Sequence, residues 1–198
     1  MNLSGRMKKM EKKQPIIVPM IALRGLTVFP GMAISFPAGR QKSLDALQAA
    51  EENGKEIFLV TQKDPATMDP SRNDLYDIGV LAEIKQVLKL PGDNIRVLVE
   101  GKSRAILRAV TQEEPYFEGA LDEGIAQDIP ASMETDALLR TARHYFEDYC
   151  KMSGRISPET VQSVMEIEDP GQLSDVIAAN VLTKVEDRQQ VLEELDDL

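Results

Sequence analysis

Few residues in this chain have the chemistry of a catalyst, and none stands in a working arrangement. His144 is the single histidine and Cys150 the single cysteine. At i and i+6 of one predicted helix they point away from each other, so they form neither a nucleophile–base pair nor two ligands of one metal. Gly101-Lys102-Ser103 is the end of a phosphate-cradling G-x-x-x-x-G-K-[ST] loop, but Arg96 stands where the first glycine belongs. The triplet also lies between two strand-like segments, whereas such a loop must open into a helix. It reads as a strand-end turn. Adjacent carboxylates such as Asp122-Glu123 and Glu193-Glu194 sit in acidic stretches, where nothing separates their pKa values into an acid and a base. The sequence therefore predicts no catalytic residue, no cofactor site and no metal site.

The remaining signal is structural, and it is strongest from Val87 to Ala105. Pro91-Gly92-Asp93-Asn94 is a turn sequence. After it, Ile95, Val97 and Val99 alternate with Arg96, Leu98 and Glu100, the period of a half-buried strand. Before it, Ile78, Val80, Ala82 and Ile84 alternate until the apolar phase shifts at Val87, which predicts a β-bulge near Lys85-Gln86. Further strands are predicted at Met32–Phe36, Glu56–Thr61, Ala105–Val110 and Tyr116–Leu121. Pro15 to Leu23 is apolar but contains Pro19, so it is expected at an edge or irregular. One helix is inserted, with Ser43 as its cap, Leu44, Leu47 and Ala50 on one face and Gly54 at its end. Asp64 to Asn73, rich in turn residues, is a loop.

After Pro130 the period becomes helical. Leu138, Ala142, Tyr145, Phe146 and Tyr149 form a stripe on a helix running from Ser132 to the residue before Gly154. Ser157-Pro158 and Asp169-Pro170-x-Gln172 are start signals for two more helices. Leu173, Val176, Ile177 and Val181 line the second of these, and Val185, Leu192 and Leu195 line a last one. The fold class is α+β: an antiparallel, β-rich, barrel-like lobe at 15–125 with one inserted helix, then a small four-helix lobe at 130–198, with residues 1–14 as a flexible basic tail.

A chain of 198 residues with 42% hydrophobic and 28% charged residues can bury a core. It has no apolar run long enough to span a membrane. A lone cysteine fits a reducing, cytoplasmic setting. Residues 1–112 carry 17 Lys+Arg against 12 Asp+Glu, net +5, and residues 113–198 carry 6 against 21, net −15. The acidic half would repel nucleic acid, and the basic residues of the first half are scattered rather than gathered in a stripe.

Six blocks in order carry a family resemblance. They are Leu23-Arg24-Gly25-Leu26-Thr27-Val28-Phe29-Pro30-Gly31-Met32; Gly39-Arg40-Gln41-Lys42-Ser43; Ile57 to Lys63; Asn73 to Val80; Leu88-Lys89-Leu90-Pro91 with Arg96 to Gly101 and Arg104-Ala105; and Asp169 to Asp175. Together they span roughly 15 to 195, and the chain resembles the amino-terminal, substrate-recognition domain of the bacterial Lon ATP-dependent proteases. Ala22 and the segment Val181-Leu182-Thr183-Lys184 depart from the family in lacking a proline.

The resemblance implies a barrel-like, PUA-like lobe and a non-catalytic role. Capture of misfolded and short-lived regulatory proteins and holding together of a homohexamer would belong to this part. ATP with magnesium, and a Ser–Lys dyad, would belong to modules that no segment here resembles. Alone, the piece is expected as a monomer or weak dimer, without membrane or nucleic-acid partners. The alternative is a standalone module of the same fold binding protein, RNA or a small ligand. A domain that grips unfolded chains needs exposed apolar side chains or an open sheet edge. The candidates are Leu26, Phe29, Pro30 and Met32 in the first loop and Leu88, Leu90 and Pro91 at the hairpin tip, where a turn apex is hard to bury.

Overall fold

The computed structural model describes residues 14–90, 94–125 and 132–195. Its order is β1 (Ile16–Leu23), β2 (Ala33–Ala38), α1 (Gln41–Glu52), β3 (Glu56–Thr61), β4 (Ile78–Leu90), β5 (Asn94–Gln112), β6 (Phe117–Glu123), α2 (Met133–Ser153), α3 (Pro158–Met165), α4 (Pro170–Val181) and α5 (Val185–Glu193). The strands form one six-stranded sheet in the order β2-β5-β4-β3-β1-β6, closed by a further β5–β6 pairing. All pairings are antiparallel except β1 with β3.

Closure depends on the length of β5. Its 19 residues serve two neighbours on one side, β2 along Ile95–Glu100 and β6 along Ala105–Gln112, while β4 runs along the other. Sequence periodicity divides this stretch at Gly101-Lys102-Ser103, expected as a turn. The structure instead carries the strand straight through, with a register shift that leaves Lys102 as the extra residue between the Leu81↔Ser103 and Ala82↔Gly101 pairs. Gly101 is required there because the first loop lies on it. Its N–H donates to Met32 O and its carbonyl accepts from Gly31 N–H, both at 2.9 Å. A Cβ at Gly101 would stand 2.4 Å from Phe29 O. The glycine serves backbone contact, not phosphate.

The bulge expected near Lys85-Gln86 is present as a shift between Ile84 and Gln86. The placement of Pro19 differs from expectation. It lies in β1, between β3 and β6, but pairing with β3 begins only at Met20, so the missing N–H falls where β1 has β6 alone beside it.

Alternation along the strands supplies a core on each face. Ile21, Leu23, Ile57, Leu59, Val97 and Val99 pack with Ala46, Leu47 and Ala50 of α1. Met20, Phe58, Val60, Leu81, Leu107 and Leu121 pack on the other face. Ser43 is not the cap of α1. The N-cap is Arg40, whose carbonyl accepts from Ser43 and Leu44 N–H while its side chain reaches Gln62 at 2.7 Å.

In the helical part the three start signals are satisfied. Ser132 Oγ accepts from Thr135 N–H, Ser157 Oγ from Thr160 N–H and Asp169 Oδ1 from Gln172 N–H, at 3.1, 3.2 and 2.7 Å. Gly154 ends α2 in the left-handed conformation at φ 61°. The buried face of α2 is turned from the expected stripe: Leu139, Ala142, Phe146, Tyr149 and Cys150 meet α3 and α4, while Leu138 and Tyr145 are exposed. Both sets satisfy helical spacing, and the set containing Phe146 and Cys150 matches the partner helices. α5 packs on α4 and on β4. There Phe29, Val80, Ala178 and Leu192 form a cluster joining helices to sheet.

Candidate polypeptide-docking surface

Beyond Ile84 the sheet narrows to an arm of three strands, β2-β5-β4, whose register fixes what each face presents. Phe36, Val97 and Val87 lie in one row on the inner face, against the α1 core. On the outer face Pro37, Arg96 and Leu88 form one row, and Ser35, Leu98 and Gln86 the next. Leu88 is 39% exposed, Leu98 is half-buried, and Pro37, Arg96 and Gln86 are exposed. The result is a mixed strip in which Pro37, Leu88 and Leu98 lie around a guanidinium beside Ser35 and Gln86, backed by a hydrogen-bonded ladder. Exposed apolar groups of this kind can accept side chains from another polypeptide.

Four charges anchor the base of that face. Glu83 and Glu100 are paired directly across β4 and β5, an unfavourable position for like charges. Lys85 bridges them at 2.9 and 2.7 Å, and Lys102 bridges them at 2.9 Å each. The Lys102 and Lys85 ammonium groups hold the Glu83 carboxyl down to about 2, and the two carboxylates hold both lysines above the usual range. The quartet neutralises itself, so among the described residues the further charge of this face is that of Arg96.

The part of β5 that lies below the arm, in the body of the sheet, is tied to the helices by a buried clasp. Arg104, on β5, donates from Nη1 and Nη2 to the two carboxylate oxygens of Asp175 on α4, at 2.8 and 2.5 Å, and from Nε to Leu192 O on α5 at 3.1 Å. The side chains are 6% and 2% exposed. Gln189 of α5 adds a bond from Nε2 to Ile78 O at 2.9 Å. Sequence reasoning placed Arg104 and Asp175 in separate motif blocks without joining them.

The first-loop candidates have other surroundings. Phe29 is 1% exposed inside the sheet–helix cluster, which takes it out of reach of any partner. Leu26 and Met32 are half-buried against core clusters, and Pro30 is half-buried. At the hairpin tip Leu88 is open to solvent, Leu90 ends β4, and Pro91 lies outside the described residues. A concavity of about 190 Å³ lies between the start of α1 and the loop before β4, lined by Met20, Met68, Pro70 and Phe117 together with Lys42. That lysine is occupied, paired to Glu114 and Asp69 at 2.9 and 3.3 Å and standing 4.9 Å over the Phe117 ring.

The chemically capable residues remain apart. His144 is exposed and its Nε2 lies 3.5 Å from Asp148 of its own helix. Cys150 is buried, and burial raises its thiol pKa, the opposite of an activated nucleophile. Among the described residues no three His, Cys, Asp or Glu side chains gather as a metal would need, and no helix is long and apolar enough to cross a membrane.

Comparison with known proteins places the chain as a whole. A Lon protease of Desulforamulus reducens is 44% identical over 179 residues, 90% of this chain and 22% of that protein. Lon proteases of Heliobacterium modesticaldum and Clostridium acetobutylicum are 44% and 39% identical, over 90% and 91% of the chain and 22% and 23% of those proteins. The chain thus spans less than a quarter of the length of the curated relatives it matches. The N-terminal domain of a Mycobacterium avium complex Lon protease has the same fold, with a TM-score of 0.73 at 21% identity and 92% coverage of both chains. The family model described as the ATP-dependent protease La (LON) substrate-binding domain matches residues 17–196, and the chain belongs to that family.

Proposed function

We propose that this chain captures unfolded polypeptide for an ATP-dependent serine protease and that its working surface is the outer face of the β2-β5-β4 arm. The observation that carries the reading is the row of Leu88, Arg96 and Pro37, which puts an exposed apolar side chain on a stiff ladder away from the core. Unfolded segments of misfolded or short-lived proteins present the apolar side chains that such a strip accepts. A contact of this size is weak alone. In a homohexamer, six copies would raise effective concentration and hold a substrate that any one releases. ATP, magnesium and the Ser–Lys chemistry are assigned to other modules of a cytoplasmic protease, a reading supported by the family description as part of an ATP-dependent protease and by this chain's covering only 22% of a Lon protease relative.

The test uses a reduced, carboxymethylated protein that cannot refold, with its binding followed by fluorescence anisotropy. Replacing one large apolar contact, Leu88→Ser, is expected to weaken affinity about five- to tenfold while leaving the urea midpoint of the domain unchanged. Unchanged affinity in a folded variant would remove the arm as the docking surface.

A further inference from the structure

The edge of the arm has its own chemistry, and the inference drawn from it rests on the docking reading above. β3 pairs with β4 only from Leu59↔Val80 to Glu56↔Glu83, with Ile84 N–H donating to Lys55 O at 2.8 Å. From Lys85 to Leu90, β4 has β5 on one side and, among the described residues, no strand on the other.

Which backbone groups face outward follows from the register. Gly101 N–H donates to Met32 O, so Gly101 turns its backbone groups towards β2, and by period two so do Val99, Val97 and Ile95. Arg96 and Leu98 therefore face β4, and their partners Leu88 and Gln86 face back towards them. Val87 and Lys89 are left pointing their N–H and C=O groups away from the sheet. The opposite edge of the arm is different. By the same alternation Pro37 of β2 points outward, and it has no N–H to donate.

We propose that the β4 edge takes up extended substrate segments as an added antiparallel strand, bonded to the backbone of Val87 and Lys89. This is recognition by strand addition, in which main-chain bonds give affinity without demanding a sequence and side chains bias the choice. The side chains along the edge define that bias. A residue beside Leu88 lies on the outer face next to an exposed apolar group, one beside Val87 meets the rim of the inner core, and one beside Lys89 meets an ammonium group. Read antiparallel, the favoured segment is acidic-apolar-apolar. Lys89 and Arg96 also make a second copy of the same edge a poor partner, because paired arms would bring like charges together.

The probe is a capped ten-residue peptide with Glu-Leu-Val at its centre, titrated into the folded domain and followed by amide NMR and hydrogen exchange. In the proposed register the peptide's glutamate and valine exchange backbone bonds with Lys89 and Val87, and its leucine N–H points to solvent. N-methylation of that valine is expected to weaken binding about tenfold or more, and N-methylation of the leucine less than about twofold. The Val87 and Lys89 amides exchange quickly in the free domain and slow on binding. Equal effects of the two methyl groups, or no protection at those two amides, would overturn strand addition. The carboxymethylated protein is measured in parallel with Leu88→Ser. If it binds and responds to Leu88 while the methylated peptides behave alike, docking stands and strand addition falls. If it does not bind, the docking reading fails and takes this inference with it.

Discussion

Removing one partner of the Arg104–Asp175 clasp should be the most damaging polar substitution in the chain. Asp175→Ala leaves a guanidinium that is 6% exposed facing a void, with only its Nε bond to Leu192 O intact. Two charge-assisted bonds at 2.8 and 2.5 Å disappear, and the charge cannot reach water without moving α4 or α5. Breaking a buried pair in this way costs about 3–5 kcal/mol, set against a total stability of about 5–15 kcal/mol. For a domain of this size that corresponds to a drop in Tm of about 6–20 °C. Replacing both partners with apolar groups, Arg104→Met with Asp175→Leu, should recover most of the loss, because the desolvation cost of both charges goes with them. Urea unfolding by far-ultraviolet circular dichroism measures the midpoints, and native-state hydrogen exchange locates the damage in α4 and α5. A midpoint for Asp175→Ala within about 0.5 kcal/mol of the parent, or a double variant as unstable as the single one, would refute the assignment of a buried, mutually compensated pair.

Phe29→Ala should cost about 3–5 kcal/mol by emptying the sheet–helix cluster, and under conditions where it is folded its peptide affinity should equal that of the parent; a selective loss of binding would return Phe29 to the docking surface. Gly101→Ala should destabilise by about 3 kcal/mol, because its Cβ meets the Phe29 carbonyl at 2.4 Å and backbone must move; thermal unfolding at the parent Tm would show that the loop yields freely. Glu83 is held at about 2 when folded, against 4.5 ordinarily. Its contribution is therefore complete above about pH 4.5 and lost as pH falls towards 2, since the unfolded chain binds the proton first. Glu83→Gln should flatten the dependence of stability on pH in that window, and an unaltered slope would mean that the lysines leave this carboxylate unperturbed.

What the sequence shows of this fold follows the range of the forces involved. Helix starts are local, and Ser132, Ser157 and Asp169 each bond the N–H three residues on, as their neighbours in sequence predict. The hairpin and its bulge are also local, because period and phase are visible within a dozen residues. Pro19 misleads because edge or interior is a property of the whole sheet, and β1 has β6 alone beside it up to Pro19 and β3 alone after Met20. The face of α2 is ambiguous because its own spacing fits two stripes, and α3 and α4 choose between them. The clasp is invisible for the same reason: Arg104 and Asp175 lie 71 residues apart, and nothing in either motif names its partner. On the proposed docking surface, Leu88 is visible in the sequence as an apolar residue near a turn, but Pro37, Arg96 and the Val87–Lys89 edge emerge only from register.

The continuity of β5 has a mechanical consequence. One strand runs from the hairpin tip, past the clasp at Arg104, to the ladder that closes the barrel with β6. A pull on the arm along its own axis loads those ladders in shear, so many hydrogen bonds share the tension and must fail together instead of unzipping singly. Such a strand acts as a tether, able to stay fastened to the body of the domain while whatever it holds is drawn away.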